Sequence, residues 1–249
     1  MSRLIAIFRS PRFSPEKVEQ DAAILRAVTA ELRRMGHTVT EFSEHDFQRL
    51  FAERPEQVCA DLIFGMYREE ATLDLIEHLE THFHIPCVNP ASGIRRVTHA
   101  EQINLLHEVG ALIPPTIVVN TPSQLSSLLY PCWLKQGRGW SQSSGDVVYV
   151  RNQQEALTAL PHFIHPDGTL CVVASTHVEG RHEKFYRPGN GVLSDILPIY
   201  GGDAIHTSDG RTFIIDINDW PSFSTCRESA ALSIAQYIDN KIPPEVKRV

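Results

Sequence analysis

Several features that mark other classes of protein are scarce in this sequence. Only five of the 23 Lys and Arg residues in the 249-residue chain are lysines, and 30 Asp and Glu residues give a formal charge of −7. This acidic balance argues against binding to nucleic acid or to an anionic membrane surface through overall charge. The apolar run Leu4–Phe8 is too short for a secretory signal, and no stretch approaches the roughly 18–20 apolar residues of a membrane span. We therefore expect a soluble, cytoplasmic protein.

Cysteines are few, and the five in the chain include no C-x-x-C pair. An odd, widely spaced set argues against a disulfide framework or a zinc knuckle, so reduced and mostly buried thiols are the simpler interpretation. His78 and His82 are spaced four residues apart on a predicted helix, and His84 follows closely. No third ligand of fitting type has an obvious place beside them. A solvated helix end explains these histidines better than a metal site.

The first third of the chain alternates between short apolar runs and helix-like segments. The predicted strands are Leu4–Phe8, Thr38–Phe42, Asp61–Phe64 and Ile85–Val88, and the predicted helices span 15–35 and 72–83. Strand–helix alternation with short loops is typical of a parallel sheet covered by helices. Residues 1–89 are therefore predicted to form a small parallel α/β lobe.

The remaining chain continues with further predicted helices and strands. Residues 90–112 are expected to be mostly helical and to end at Gly110. Further predicted helices span 122–129, 153–160 and 227–240, and further predicted strands span 116–119, 132–135, 147–150, 169–174 and 183–187. The Gly- and Ser-containing stretch 136–145 is predicted to be a loop.

Residues 202–218 predict a β-hairpin, because Asp209-Gly210 between two strand-like runs is a strong signal for a two-residue turn. With that turn, Ser208 pairs with Arg211 and Asp203 stands directly opposite Asp216. Directly paired side chains share a face, with Cβ atoms about 4.5–5.5 Å apart.

The carboxylates of this hairpin are candidate metal ligands. Asn218 shares the face of Asp216 because strand side chains repeat with a period of two. Two carboxylates and an amide oxygen suit Mg²⁺, which keeps water and phosphate oxygens at its other positions. The competing interpretation is that both aspartates lie at solvated strand ends, and a one-residue change in register would remove their pairing.

A scarce lysine, Lys135, ends the apolar strand before the Gly- and Ser-containing loop. Such a loop can present backbone N–H groups to phosphates, with the lysine supplying a cation. Alone this signal is weak, because strand-end lysines often extend their side chains to water.

Together these features resemble the ATP-grasp superfamily, over essentially the whole chain. The resemblance implies an α/β fold in which an N-terminal lobe, 1–89, precedes a two-subdomain ATP-grasp. Its small subdomain with the connecting helices would span 90–172, and its C-terminal subdomain with the metal-binding hairpin would span 173–249. Lys135 is similar to the strand lysine of that superfamily, Lys184 to a basic position facing the phosphates, and Asp203, Asp216 and Asn218 to its closing Mg²⁺ motif. The stretch from Ala174 to Gly180 resembles the hinge that binds adenine, with Ser175, Thr176, His177, Val178 and Glu179 as the candidate contacts.

Two positions depart from the superfamily pattern. Asp216 stands where a glutamate is usual, and a shorter carboxylate can shift or weaken one metal ion. A lysine common near the end of the first connecting helix is absent, and the sequence offers His99 or Ala100 there. Arg95 or Arg96 could cover the phosphates instead, although a solvated helix face explains that pair equally well.

The resemblance implies ATP and Mg²⁺, or Mn²⁺, as cofactors and a small-molecule carboxylate and amine as substrates. The acid would be activated as an acyl phosphate, and an amine or thiol would then displace phosphate. Candidate substrate contacts, chosen by loop position, are Arg9, Ser10, Tyr67, Arg68, Trp220, Ser222 and Ser224. A bidentate contact from Arg9 or Arg68 would suit a carboxylate.

Four functional hypotheses follow. The first is an ATP-dependent carboxylate–amine ligase. The others are a small-molecule kinase on the same fold, a catalytically impaired nucleotide-binding regulatory module, and a plain α/β binding protein with incidental hairpin carboxylates. The sequence names neither the acid nor the amine, and it leaves a homo-oligomer open.

Overall fold

The structure is a computed structural model that describes residues 1–140 and 143–243. Residues 141 and 142 of the predicted loop and the end of the chain lie outside the described residues. By its internal contacts the chain divides into two compact units. Unit 1 comprises Met1–Ile94, Tyr186–Gly201 and Asn218–Val249, and unit 2 comprises Arg95–Phe185 and Gly202–Ile217. The sequence-based boundaries at residues 89 and 172 stay predictions.

Within the described ranges the chain forms eleven strands and seven α-helices. The strands are β1 (Arg3–Phe8), β2 (Thr38–Ser43), β3 (Leu62–Gly65), β4 (Cys87–Val88), β5 (Thr116–Val119), β6 (Cys132–Gln136), β7 (Val147–Val150), β8 (Val172–Thr176), β9 (Arg181–Pro188), β10 (Ile199–His206) and β11 (Thr212–Asp219). The helices are α1 (Val18–Arg34), α2 (Glu44–Phe51), α3 (Glu70–His82), α4 (Ala91–Arg95), α5 (Glu101–Glu108), α6 (Gln153–Ala159) and α7 (Arg227–Lys241).

Unit 1 is built on a parallel sheet with the strand order β2-β1-β3-β4. Strand β1 is inside the sheet, and its residues from Leu4 to Ile7 are buried, as expected of a strand covered on both faces. This confirms the predicted parallel α/β architecture. Because the strands are parallel, the loops that follow β1, β2 and β3 lie along one edge of the sheet, where α/β proteins commonly bind ligands.

Helices α1 and α7 pack against this sheet and against each other. Leu25 and Val28 of α1 share one apolar core with Ile234 of α7 and with Phe64 and Trp220, whose rings stack. Acidic residues in the first turn of α1 and arginines in its last turn complement the helix dipole. The helix ends before Gly36, whose φ of 95° is readily adopted only by glycine.

Unit 2 contains an antiparallel sheet with the strand order β5-β8-β6-β7. One face, with Leu134 and Val172, packs into an apolar core that includes Ala156 of α6. That helix begins at Asn152, whose side chain accepts a hydrogen bond from the Glu155 N–H. The strand alternation puts Trp133 and Lys135 on the opposite face of the sheet.

The third sheet has the order β11-β10-β9, and its β10–β11 hairpin turns differently from the prediction. Thr207 donates to the Arg211 carbonyl at 2.9 Å and accepts from the Gly210 N–H at 3.1 Å, so the loop has three residues and Gly210 has a φ of 85°. The predicted pairing of Ser208 with Arg211 is therefore wrong by one residue. The opposition of Asp203 and Asp216, which the predicted turn implied, stays a prediction.

Gly202 lies close to the main chain of Asp216. A Cβ atom at position 202 would be 2.2 Å from the Asp216 carbonyl oxygen, so the close approach of these two strands requires glycine there.

Other segments depart from the sequence-based prediction in smaller ways. Helix α2 was not predicted, residues 122–129 contain the 3₁₀ helix Pro122–Ser127, and the predicted helical region 90–112 is split into α4 and α5. The predicted strand 169–174 is observed as β8, which is displaced towards Thr176. The first part of the predicted hinge therefore lies within a strand.

All five cysteines are in the described ranges and are free thiols, with Cys59 exposed and Cys87 and Cys132 buried. No helix of the described chain is long and apolar enough to cross a membrane.

Candidate active site

Strand β11 carries two of the predicted ligands on one face. Asp216 and Asn218 are partly exposed, whereas Ile217 and Asp219 are buried, as the alternation of a strand requires. The prediction that Asp216 and Asn218 share a face is consistent with this pattern.

Lys135 and Asp216 meet in unit 2. The Lys135 Nζ donates to the Ile215 carbonyl at 2.7 Å and lies 3.7 Å from Asp216 Oδ1, and the lysine side chain is only 14% exposed. Gln102 of α5 donates to the same Oδ1 at 3.4 Å and accepts from the Ile217 N–H at 2.8 Å. Helix α5 thus fixes the strand position of the candidate carboxylate, a contact that the sequence gave no reason to expect.

Asp203 has its own basic partners in unit 2. Its Oδ1 accepts from Lys184 Nζ at 2.8 Å and lies 2.6 Å from His182 Nε2. The structure therefore brings together Lys184 and Asp203, two predicted site residues. His182 was missed, although its two-residue spacing from Lys184 on β9 places both side chains on one face.

His99 lies where the superfamily resemblance anticipates a lysine. Its Nδ1 is 2.6 Å from the Gln136 carbonyl, which must accept the N–H, and its Nε2 is 4.0 Å from Asp216 Oδ1. The backbone N–H of Ala100 donates to the Gly137 carbonyl at 3.1 Å, so this segment packs against the start of the predicted phosphate loop. Arg96 instead pairs with Glu108 at the surface.

A cleft in unit 2 connects these groups with the predicted hinge. Its lining includes His99, Gln102, Thr116, Lys135, Ser175 and Ile215. Ser175 accepts a hydrogen bond from Thr116 Oγ1 at 2.9 Å. The cleft combines apolar walls with a few polar groups, but its cavity of about 20 Å³ has room for no more than a water molecule.

Two residues of the predicted hinge already use their backbone N–H groups in hydrogen bonds with neighbouring segments. The N–H groups of Thr176 and His177 donate to the carbonyls of Pro115 and Pro131, both at 2.9 Å. His177 Nδ1 accepts from Trp133 Nε1 at 3.0 Å, and the Glu179 side chain is 94% exposed. Any backbone recognition of a base by this hinge would consequently fall to Val178 and Glu179.

The donor chemistry fits a metal ion that arrives with a nucleotide. Asp203, Asp216 and Asn218 offer hard oxygen donors, but no three His, Cys, Asp or Glu side chains form a metal-binding group among the described residues. Mg²⁺ usually takes one or two protein carboxylates and completes its shell with water and phosphate oxygens. A partial set of protein oxygens is therefore compatible with such an ion.

The candidate substrate contacts of unit 1 are largely built into its interior. Trp220 is 0% exposed and packs in the core, so its prediction as a substrate contact is wrong. Tyr67 is also buried, and its hydroxyl donates to the Asn89 carbonyl at 2.5 Å. Burial raises the pKa of this phenol well above its ordinary value.

The two candidate arginines already bind a carboxylate of the protein itself. Arg68 donates through Nε and Nη2 to Asp219 Oδ1, and Arg9 Nη2 lies 3.1 Å from Asp219 Oδ2. Predicted substrate contacts from Ser10, Ser222 and Ser224 stay predictions. The Ser10 N–H donates to Glu44 Oε1 at 2.8 Å, and Ser222 is partly exposed.

Comparison with solved structures identifies an ATP-grasp fold, and this confirms the fold that the resemblance implies. A RimK domain ATP-grasp protein from Sphaerobacter thermophilus matches with a TM-score of 0.66 at 14% identity, over 94% of this chain and 99% of its own. A D-alanine–D-alanine ligase from Bacillus anthracis complexed with ATP gives 0.67 at 12% identity, over 99% of both chains.

The D-cycloserine synthetase DcsG gives a TM-score of 0.71 at 12% identity, over 96% of this chain and 100% of its own. No protein-family model and no curated protein matches the sequence. The similarity at these low identities is therefore one of fold.

Proposed function

We propose that this protein is an ATP-dependent ligase that joins a small-molecule carboxylate to an amine or thiol and releases ADP and phosphate. The observation that carries the proposal is the 3.7 Å approach of Lys135 to Asp216 in a chain with an ATP-grasp fold. Two of the matching structures are of a D-alanine–D-alanine ligase and a D-cycloserine synthetase, which supports ligase chemistry.

In this proposal ATP binds at the unit 2 cleft, which must widen to admit it because its cavity measures only about 20 Å³. Lys135 would release the Ile215 carbonyl or share its protons with a phosphate oxygen, and Lys184 would supply a second cation. A charge-assisted contact of this kind is strong where the lysine is screened from water, as it is for Lys135. The hinge residues Val178 and Glu179 would border the base and ribose.

Asp203, Asp216 and Asn218 would hold Mg²⁺, or Mn²⁺, beside the phosphates. When bound, the ion supplies positive charge that stabilises the phosphoryl group during transfer. Each carboxylate lies beside a lysine, Asp203 with Lys184 and Asp216 with Lys135. The lysines compensate these negative charges, so that the carboxylates can share a site without excessive repulsion.

The reaction needs no nucleophile from the protein. A carboxylate oxygen of the acid attacks the γ-phosphorus, the bond to the β,γ-bridging oxygen breaks, and ADP leaves. The amine nitrogen then attacks the acyl carbon, the bond to phosphate breaks, and the surplus amine proton passes to solvent. The chain contributes orientation and charge stabilisation, which can supply most of such a rate enhancement.

A catalytically impaired regulatory module is the second candidate. It is favoured by the position of His99 in place of a helix lysine. A kinase that phosphorylates an alcohol would use the same nucleotide contacts. These alternatives differ from the ligase in the product made, so product analysis distinguishes them.

ADP release in the presence of candidate acids tests the proposal. Purified protein, ATP and Mg²⁺ are incubated with a panel of amino acids and dipeptides, and Asp216→Ala protein serves as the blank. Acid-dependent ADP and phosphate are expected. AMP and pyrophosphate would contradict attack at the γ-phosphorus, a phosphorylated alcohol would indicate the kinase, and bound but unconsumed ATP would indicate the regulatory module.

A further inference from the structure

Unit 1 contains a buried ionic cluster, and one of its members, Asp219, directly follows Asn218 in the chain. Asp219, the next residue of β11, has a side chain that is 1% exposed, and those of Arg68 and Arg9 are 5% and 6% exposed. Arg68 makes a two-pronged contact with Asp219 Oδ1, and Arg9 contacts Oδ2. The carboxylate is therefore held at both oxygens by rigid guanidinium groups.

Arg9 also holds the backbone of the same segment. Its Nη2 donates to the carbonyls of Asp219 and Trp220, at 2.9 and 3.3 Å, and its Nε donates to the Met66 carbonyl at 3.2 Å. The end of β11 is thus fixed through both its side chain and its main chain.

The two arginines are themselves fixed by buried carboxylates. Asp21 accepts from Arg9 Nη1 at 3.2 Å and from Ser14 Oγ at 2.7 Å. Glu44 accepts from the backbone N–H groups of Ser10, Arg68 and Glu69, at 2.8, 2.9 and 2.7 Å. The loops after β1 and β3 consequently have little freedom to move the arginines.

Stability alone does not account for this cluster. Desolvating charged groups is costly, and well-packed apolar residues often stabilise a protein as well as a buried ion pair does. What a buried charge network supplies in addition is a unique geometry, because each charge tolerates only one arrangement of partners. The segment fixed here is the one that carries a proposed metal ligand.

We propose that Asp219 is a positioning residue, which, through Arg9 and Arg68, fixes the orientation of Asn218 for binding the metal–nucleotide complex. This role rests on the proposed function, because it requires that Asn218 contact the metal. Neighbouring groups that orient a metal ligand commonly change metal affinity by 10- to 100-fold when they are removed.

Asp219→Asn is the informative variant, and Asp21→Asn is its matched control. Each removes one negative charge from a partner of Arg9, but only Asp219 belongs to the strand that carries Asn218. A contribution to stability alone would lower the melting temperature in both variants and would affect metal binding in neither, or in both alike.

The measurement is Mn²⁺ binding, followed by electron paramagnetic resonance, to each protein with a non-hydrolysable ATP analogue. Asp219→Asn is expected to weaken Mn²⁺ binding by about tenfold or more, and Asp21→Asn, which leaves the contacts of Arg9 with Asp219 and Trp220 in place, by clearly less. Binding of the metal-free analogue should be similar in all three proteins. Arg68→Lys, which keeps the charge and loses the two-pronged contact, should give a smaller loss and provides a second test should Asp219→Asn fold poorly.

The two proposals fail in different ways. Absence of Mn²⁺–nucleotide binding by wild-type protein would overturn the proposed function and, with it, the role of Asp219. Wild-type binding with unchanged affinity in Asp219→Asn and Arg68→Lys, or an equal loss in Asp21→Asn, would overturn the positioning role alone.

Discussion

Lys135 Nζ lies 3.7 Å from Asp216 Oδ1, although the lysine belongs to β6 and the aspartate to β11. The lysine is one of only five in the chain, and the aspartate follows Ile215, whose carbonyl the same lysine contacts. A cation and a carboxylate held this close together are the groups that a nucleotide–metal complex requires. The predictions below follow from this arrangement.

Removal of the β11 ligands should abolish metal-dependent ATP consumption. Asp216→Ala and Asn218→Ala each delete an oxygen donor from a partly exposed position, so the fold should survive. Mg²⁺-dependent ATP turnover and calorimetric titration with Mg²⁺–ATP are the measurements. Asp46→Ala, on the exposed surface of α2, is the control, and wild-type behaviour of both ligand variants would refute the metal assignment.

Lys135→Met should weaken ATP binding more than Lys241→Met does. Lys135 is screened from water, and a hydrogen bond from a charged group to phosphate contributes about 1.5–3 kcal/mol, which corresponds to a tenfold or greater loss of affinity. Lys241 ends α7 and lies over the Tyr237 ring, so it serves as the charge-matched control. Equal ATP affinities of the two variants would mean that Lys135 contributes only to the packing of the sheet.

Glu80 should make folding stability depend on pH. Burial, opposed by the hydrogen bond from the Ala91 N–H and assisted by the charge of Glu77, raises the pKa of this carboxyl from 4.5 to about 7. Between these values the folded protein binds more protons than the unfolded chain, so the contribution of Glu80 to stability falls as pH rises towards 7.

Glu80→Gln removes this titration, and urea unfolding at pH 5 and pH 7.5 measures its effect. The free energy of unfolding of the variant minus that of wild type should be larger at pH 7.5 than at pH 5, which means that the variant is relatively more stable at the higher pH. The same difference at both pH values would contradict the raised pKa of Glu80.

The local elements of this fold could largely be predicted from the sequence, whereas the register of the hairpin could not. Asp209-Gly210 correctly located the turn, but a glycine with positive φ suits a two-residue and a three-residue loop equally. The choice of Thr207 as the partner of Arg211 depends on backbone hydrogen bonds that composition does not specify. Helix α2 was missed, although Ser43 accepts from the Asp46 N–H in a capping pattern that the sequence displays.

Site residues that local sequence patterns mark could be predicted. Residues whose role depends on a contact with a distant part of the chain could not. Lys135 and Asp216 were inferred from strand ends and superfamily resemblance. The interior positions of Arg9 and Arg68 could not be inferred, because the carboxylate that binds both belongs to Asp219, far along the chain. An arginine after a strand has the same local signature whether it binds a substrate or a buried aspartate.

The most direct test of the ligase proposal is capture of the acyl phosphate with hydroxylamine. Once an acid that stimulates ADP release is known, that acid, ATP, Mg²⁺ and hydroxylamine should yield its hydroxamate in amounts equal to the ADP formed. Asp216→Ala protein should yield neither product. ADP formed without hydroxamate, or hydroxamate accompanied by AMP and pyrophosphate, would contradict an acyl-phosphate ligase.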